Sequence, residues 1–291
     1  RSEQIDAALQ RWIDYSKTAG VTGVFDSDIP GFNKFHERVY QRLRALDLEG
    51  KLPVYIDGCY VVAAMWEVEK GLEELKRFRR EYNTKHLKVH TMKVFMDGTL
   101  KIHTAAMVEP YEDTHTKGST AFTAQELAEV IKKLNEEGLD LHLHTVGDAA
   151  SRVVLDAVEL ARRELGENTH VKVTCAHLKF QHDDDLDRFA KLGVFANYTP
   201  FWHCEFPEEH LPLFGEKRTF NMYRCKSVWD TGAVVTWSCD TISFLDFTAW
   251  NPYLGMEVGL TRWITEKTRL PEFARTPEAF PPASECMSVE E

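Results

Sequence analysis

Polar side chains able to do chemistry stand where short apolar runs end: Asp26, Lys93 with Asp97, His142 with His144, His177, and Asp240. In barrels of parallel strands, the polar residues at the C-terminal strand ends make the active site. Side chains alternate along a strand, so His142 and His144 are expected to share a face, as are Cys175 and His177, and Lys93 and Asp97. Imidazole nitrogen and carboxylate oxygen suit zinc and similar divalent ions. Two histidines from neighbouring strands and an aspartate from a later one could converge on one ion. A lysine ammonium has no lone pair and is a poor ligand. Once desolvated it loses its proton more readily, and the amine can take up carbon dioxide as an anionic carbamate that bridges two metals. Each residue also has a plain structural role open to it. A buried histidine often only packs, which is the expectation for His142 and for His203 beside Cys204. Lys93 could be a pocket cation, Asp240 a helix cap, and Asp26 and Asp97 loop residues.

The elements that must position these groups are legible as alternating patterns. Apolar or β-branched runs lie at 21–26, 53–62, 92–97, 139–146, 171–177, 194–199 and 234–240. Several are continuous, as strands buried on both faces should be. Helical spacing lies between them. Phe32, Phe35, Val39, Leu43 and Leu46 form one apolar stripe, stopped at Gly50. Thr123 and Glu126 form a capping box that opens a helix through Leu127, Val130, Ile131 and Leu134, ending near Gly138. Asp148 and Asp183 are expected to cap two more helices, the second ending at Gly193. Strand then helix, repeated, implies a parallel sheet with helical crossovers. An open doubly wound sheet would bring a glycine-rich nucleotide turn, and no G-x-G-x-x-G or G-x-x-x-x-G-K is present. The expectation is a single domain over 1–291: a (β/α)8 TIM-type barrel, incomplete, with about seven strands and a gap where the first belongs. Arg1 leads straight into an amphipathic pattern (Ile5, Leu9, Trp12, Ile13). Ser288 and Glu291 read as a capping box with no helix after it. Both ends therefore suggest truncation, and an unpaired strand edge makes a homodimer plausible.

Bulk properties narrow the partners. A net charge of −11 from 35 basic and 46 acidic residues disfavours nucleic acid and anionic membranes. No apolar run approaches the ~20 residues that span a bilayer. The six cysteines lack any C-x-x-C pair, which fits reduced thiols and a cytoplasmic location. A small molecule is the expected partner.

In order along the chain, the motifs resemble the amidohydrolase superfamily, and within it the family 3 branch that includes N-substituted formamide deformylases. Lys93-Val-Phe-Met-Asp-Gly-Thr-Leu100 and Thr104-Ala-Ala-Met107 resemble K-x-F-x-D-G-S-L…T-A-A-L. His144-Thr-Val-Gly-Asp148 resembles H-A-I-G-D, and Leu192-Gly-Val-Phe-Ala196 resembles L-G-V-x-A. Ala176-His177 stands where the family has E-H-A. Ser238-Cys-Asp240 stands for G-S-D, and Asn251-Pro-Tyr-Leu-Gly255 for D-P-x-x-G. The resemblance implies that Lys93 is carboxylated and bridges two metals, that His144 and His177 bind metal, and that Asp240 binds metal and acts as general base. Lys101-Ile-His103 replaces G-S-R, which makes His103 a candidate substrate contact. The family's first-strand H-x-H and its small β-sandwich have no counterpart here, since His142-x-His144 occupies the fifth-strand position.

The function implied is hydrolysis of a C–N, amide-type bond by water activated on a divalent metal, zinc being the expected ion, with one or two in the full-length protein. Without the paired first-strand histidines, this segment is expected to bind metal weakly and to turn over slowly. A degenerate barrel acting as a binding or regulatory protein is the alternative. A metal-free glycosidase would need two carboxylic acids across a sugar, and no strand-end glutamate pair suggests it.

Overall fold

The computed structural model describes residues 2–204, 206–240, 251–263 and 279–291. Seven strands form one sheet: β1 (Gly23–Asp26), β2 (Tyr55–Val62), β3 (Leu87–Phe95), β4 (Asp140–Thr145), β5 (Val173–His177), β6 (Phe195–Tyr198) and β7 (Val235–Trp237). Their spatial order is their chain order, and every pairing is parallel. All seven apolar runs became strands. Sequential parallel order requires each connection to cross over the same face. Among the described residues no ladder joins β1 to β7.

The sheet is strongly curled. Phe25 on β1 stacks on His142 of β4, with ring centroids 4.6 Å apart. In a flat sheet, three strand spacings would separate them by roughly 14 Å. The concave face therefore closes on itself as a barrel interior does. This is an α/β sheet with the architecture of an incomplete barrel.

Nine helices are described: α1 (Ser2–Thr18), α2 (Asn33–Leu48), α3 (Val68–Tyr82), α4 (Ala124–Glu137), α5 (Asp148–Leu165), α6 (Leu186–Lys191), α7 (Leu211–Thr219), α8 (Cys225–Asp230) and α9 (Pro252–Thr261). The main core lies between their apolar faces and the convex side of the sheet. It includes Met92 and Val94 of β3, Leu141 and Leu143 of β4, Leu127 and Ile131 of α4, and Val154 and Leu155 of α5. The Thr123 capping box has both of its hydrogen bonds, and Gly138 takes the left-handed cap conformation at φ 62°. Gly50 likewise turns left-handed at φ 70° after α2.

Three local expectations fail. Phe32 and Phe35 point outward at 51% and 43% exposure, because α2 uses Tyr40 and Leu43 for its buried face. Asp148 does not cap α5. It stands one residue inside the helix and accepts the Val108 N–H at 2.8 Å, tying down the loop after β3. Asp183 caps nothing either. His182 precedes that turn and accepts the Asp184 N–H, and Asp183 pairs with Arg224 at 2.7 Å. At the chain's end, Ser288 donates its N–H to Glu291, half of the expected capping box, with no helix attached.

Candidate metal centre

The loop of 97–122, between β3 and α4, folds over the C-terminal ends of the strands and is pinned by Asp97. Its carboxylate accepts the N–H groups of Ala106, Val146 and Gly147 at 3.0, 2.9 and 2.8 Å. Burial pushes this carboxyl up to about 7 while the three N–H bonds pull the other way. Gly147 lies so close to the loop that a Cβ there would strike the Ala106 carbonyl. Asp97 is thus a structural clamp at the mouth.

Lys93, near the end of β3, is 2% exposed. Its Nζ stands 3.0 Å from Nδ1 of His142, its register partner on β4. The lysine donates, so His142 Nδ1 presents its lone pair. Burial holds the His142 imidazole well below its usual pKa, with Lys93 adding to the effect. Burial also pulls Lys93 down to about 8, against the opposing pull of Cys59 and Asp240.

His144 places Nε2 3.1 Å from the Gly98 carbonyl. A carbonyl only accepts, so Nε2 carries the proton and Nδ1 keeps the lone pair a metal would use. Burial lowers this histidine to about 4, with Lys93 and Lys179 acting in the same direction. His177 does not follow strand alternation. Its register neighbours Thr145 and Tyr198 lie on the convex side, as does Cys175. Its backbone turns left-handed at φ 78°, however, and the ring meets His144 edge-on with centroids 4.6 Å apart. Cys175 and His177 therefore do not share a face. The other side of the His177 ring stacks on Trp202 at 4.9 Å and 17°, and Nδ1 lies 3.3 Å from the Thr199 hydroxyl.

Asp240 follows β7 with φ 48°. It keeps contact with solvent, yet neighbouring protein atoms push its carboxyl up to about 6 against the attraction of Lys93 and Lys179. Lys93, His144, His177 and Asp240 thus sit at the same end of the sheet, and Lys93 is coupled electrostatically to the other three. The donor types suit a divalent ion. The enclosure is incomplete: among the described residues, no three of His, Cys, Asp and Glu are close enough together to hold one.

The remaining candidates are engaged with other partners. His103 pairs with Asp113 at 2.8 Å and packs on Tyr111 within its own loop. Asp26 and Asp28 flank His36 of α2 at 3.4 and 2.9 Å, a bridge between β1 and α2. His203 is buried against Tyr198 and Tyr223. All six cysteines are free thiols. Lys179, Thr199 and Trp202 touch or act on the histidine pair, and no motif pointed to them. The available signal was their position, just beyond the ends of β5 and β6.

Among the described residues, no helix is long and apolar enough to cross a membrane. The chain is similar to amidohydrolase YtcJ of Bacillus subtilis (strain 168), at 24% identity over 99% of this chain and 50% of that one. It is also similar to the exoenzymes regulatory protein AepA of Pectobacterium carotovorum subsp. carotovorum, 27% identical over 54% of this chain and 33% of that one. It spans half or less of the length of these relatives. Among solved structures, an uncharacterized metal-dependent hydrolase from Pyrococcus furiosus superposes with a TM-score of 0.67 at 24% identity. That match covers 89% of this chain and 50% of the other, and shows a shared fold. The profile of the Amidohydrolase family matches residues 1–291, and the chain belongs to that family.

Proposed function

We propose that this chain forms the larger part of the catalytic barrel of a metal-dependent hydrolase of amide-type C–N bonds in small molecules. The observation that carries this reading is the contact between His144 and His177, brought about by a left-handed residue at the end of β5. His144 and His177 would hold the ion as a pair, Asp240 would complete the set only by approaching them, and Lys93, as a carbamate, would supply a further oxygen ligand. A divalent ion held there supplies Lewis acidity and lowers the pKa of water toward neutrality. The chain's own residues do the rest. Gly98 fixes the His144 tautomer, and Trp202 and Thr199 fix the His177 ring. Asp240 takes the proton of the attacking water and passes it to the leaving nitrogen. The loop pinned by Asp97 limits solvent around the histidines.

A second reading, a barrel that binds small molecules without turnover, is favoured by the incomplete donor enclosure. One experiment separates the two. The protein is loaded with zinc, manganese or cobalt, its metal content is measured, and hydrolysis of N-formyl and N-acyl amides is followed. The expected result is substoichiometric metal in this chain and slow, metal-dependent turnover, which Asp240→Asn lowers about 100-fold or more. Turnover unchanged by Asp240→Asn and by His144→Ala would sink the hydrolase reading.

A further inference from the structure

Lys93 ends beside two rings. Its Nζ lies 3.0 Å from Nδ1 of His142 and 5.0 Å from the centre of the Phe95 ring. Phe95 in turn stacks on His144, with centroids 5.0 Å apart. His142 is held in two ways. Its backbone is the register partner of Lys93 on β4, and its ring stacks on Phe25 of β1 at 4.6 Å and 24°. A ring stacked in this way keeps its plane, so its edge goes on facing Nζ.

Carbamate formation changes what Nζ can do. The lone pair of the neutral amine attacks the carbon of carbon dioxide. An Nζ–C bond forms, one C–O π pair moves onto oxygen, and one proton leaves Nζ for the bicarbonate buffer. The nitrogen lone pair then conjugates with the carboxylate, so the new group is planar, as a peptide unit is. Its nitrogen no longer accepts, and one N–H remains in the plane of the two oxygens. Whatever holds that N–H sets the direction of both oxygens, and a buried N–H without an acceptor is costly. His142 Nδ1 offers the acceptor, since Lys93 already donates to it. The electron-rich face of Phe95 repels an anion and turns the carboxylate off that ring.

We propose that His142 is a positioning residue, whose Nδ1 holds the N–H of a Lys93 carbamate and so aims its carboxylate. This rests on the reading of Lys93 as a carbamate ligand. His142 stands two residues before His144 on β4. The ring that orients the lysine and the ring that meets His177 therefore come from one strand. Adjacent strands β3 and β4 fix the oxygen ligand relative to the first imidazole before any ion arrives. β1 enters the site through the Phe25 ring alone.

The test follows carbamate formation on the whole chain without any metal. Wild type and variants are equilibrated with isotope-labelled bicarbonate in mildly alkaline buffer, and the carbamate carbon is read by NMR. The part of the signal missing from Lys93→Met belongs to Lys93. His142→Phe and His142→Leu remove the acceptor, and thermal melts show which of them is folded; either one suffices. His142→Asn places an amide oxygen close to the position of Nδ1. Wild type is expected to show the Lys93 signal. The acceptor-free variants should need about 10-fold more bicarbonate for the same conversion, as the loss of one hydrogen bond implies. His142→Asn should recover most of that loss. No Lys93 signal in wild type, a signal unchanged in the acceptor-free variants, or an equal loss in His142→Asn would each overturn the proposal. The readout needs neither metal nor turnover, so the two readings fail separately. The expected pattern without hydrolysis of any amide removes the hydrolase reading alone. Metal-dependent hydrolysis with an unchanged signal in the acceptor-free variants removes this one alone.

Discussion

The central strands and the flanking strands of this sheet are built to different standards. In β3, β4 and β5 most residues are buried, and the ends are tied to the loop above them by Asp97 and Asp148. In β1 and β7 no residue is fully buried. Phe25, Tyr55 and Val234, on or beside these flanks, are 39%, 55% and 54% exposed. The chemistry divides the same way. Lys93, His144 and His177 come from the packed centre, where desolvation keeps the histidines neutral and weakens the hold of the lysine on its proton. Asp240 comes from the flank and keeps contact with solvent. The centre therefore sets the histidine pair without help from the flanks, whereas Asp240 follows a strand with little packing around it.

The sharpest way to break this contrast is to remove the clamp. Asp97→Ala leaves three N–H groups at the mouth without an acceptor, each costing about 1–3 kcal/mol if no water reaches it. We expect a loss of about 4 kcal/mol in urea unfolding, with Asp97→Asn losing clearly less because one acceptor oxygen remains. A loss under about 1 kcal/mol for Asp97→Ala would mean that the loop is held by other means.

The next effect is a pH dependence that belongs to the centre. His144 is lowered to about 4 from an ordinary 6.5, chiefly by burial. A group whose folded pKa is depressed contributes stability that is complete above 6.5 and is lost as pH falls through 4, because the unfolded chain takes the proton first. At about 1.4 kcal/mol per unit, the contribution is about 3 kcal/mol. In metal-free protein, His144→Gln should flatten the acid limb of stability against pH between 6.5 and 4 by about that amount. An unchanged limb would show that the imidazole is hydrated in solution.

How much of this was legible depended on the physics each residue obeys. The strands were readable because burial on both faces leaves continuous apolar runs, and those runs need no knowledge of partners. The capping box at Thr123 was readable because its partners are three residues apart. Phe32 and Phe35 misled because periodicity reports a stripe without saying which side of it packs. His177 was picked for the right end of the right strand and the wrong geometric reason. Alternation placed it with Cys175, whereas a left-handed turn that no residue type announces reorients it. Asp148 and Asp183 looked like caps because a local role is the easier one to read. Their actual partners, Val108 and Arg224, are about 40 residues away. Lys179 escaped for the same reason, since the ring it faces, Trp202, lies in the turn that follows another strand.

The smallest effect offers the cleanest control, because one chemical change can be made in both regions. Val94 on β3 is fully buried between the sheet and its helices, and Val234 beside β7 is 54% exposed. Valine to alanine removes the same two methyl groups at each. In the packed centre the change loses transfer energy and leaves a cavity, for about 2 kcal/mol. At the flank there is little to lose, and a change within about 0.5 kcal/mol is expected. Both are read from the shift in urea midpoint, with the slope checked for constancy. The comparison also has a use if it fails. Should Val234→Ala cost as much as Val94→Ala, and the cost grow on raising the protein concentration, the flank is covered in solution by a second copy of the chain. The contrast between centre and edge would then belong to the isolated chain and not to the protein at work.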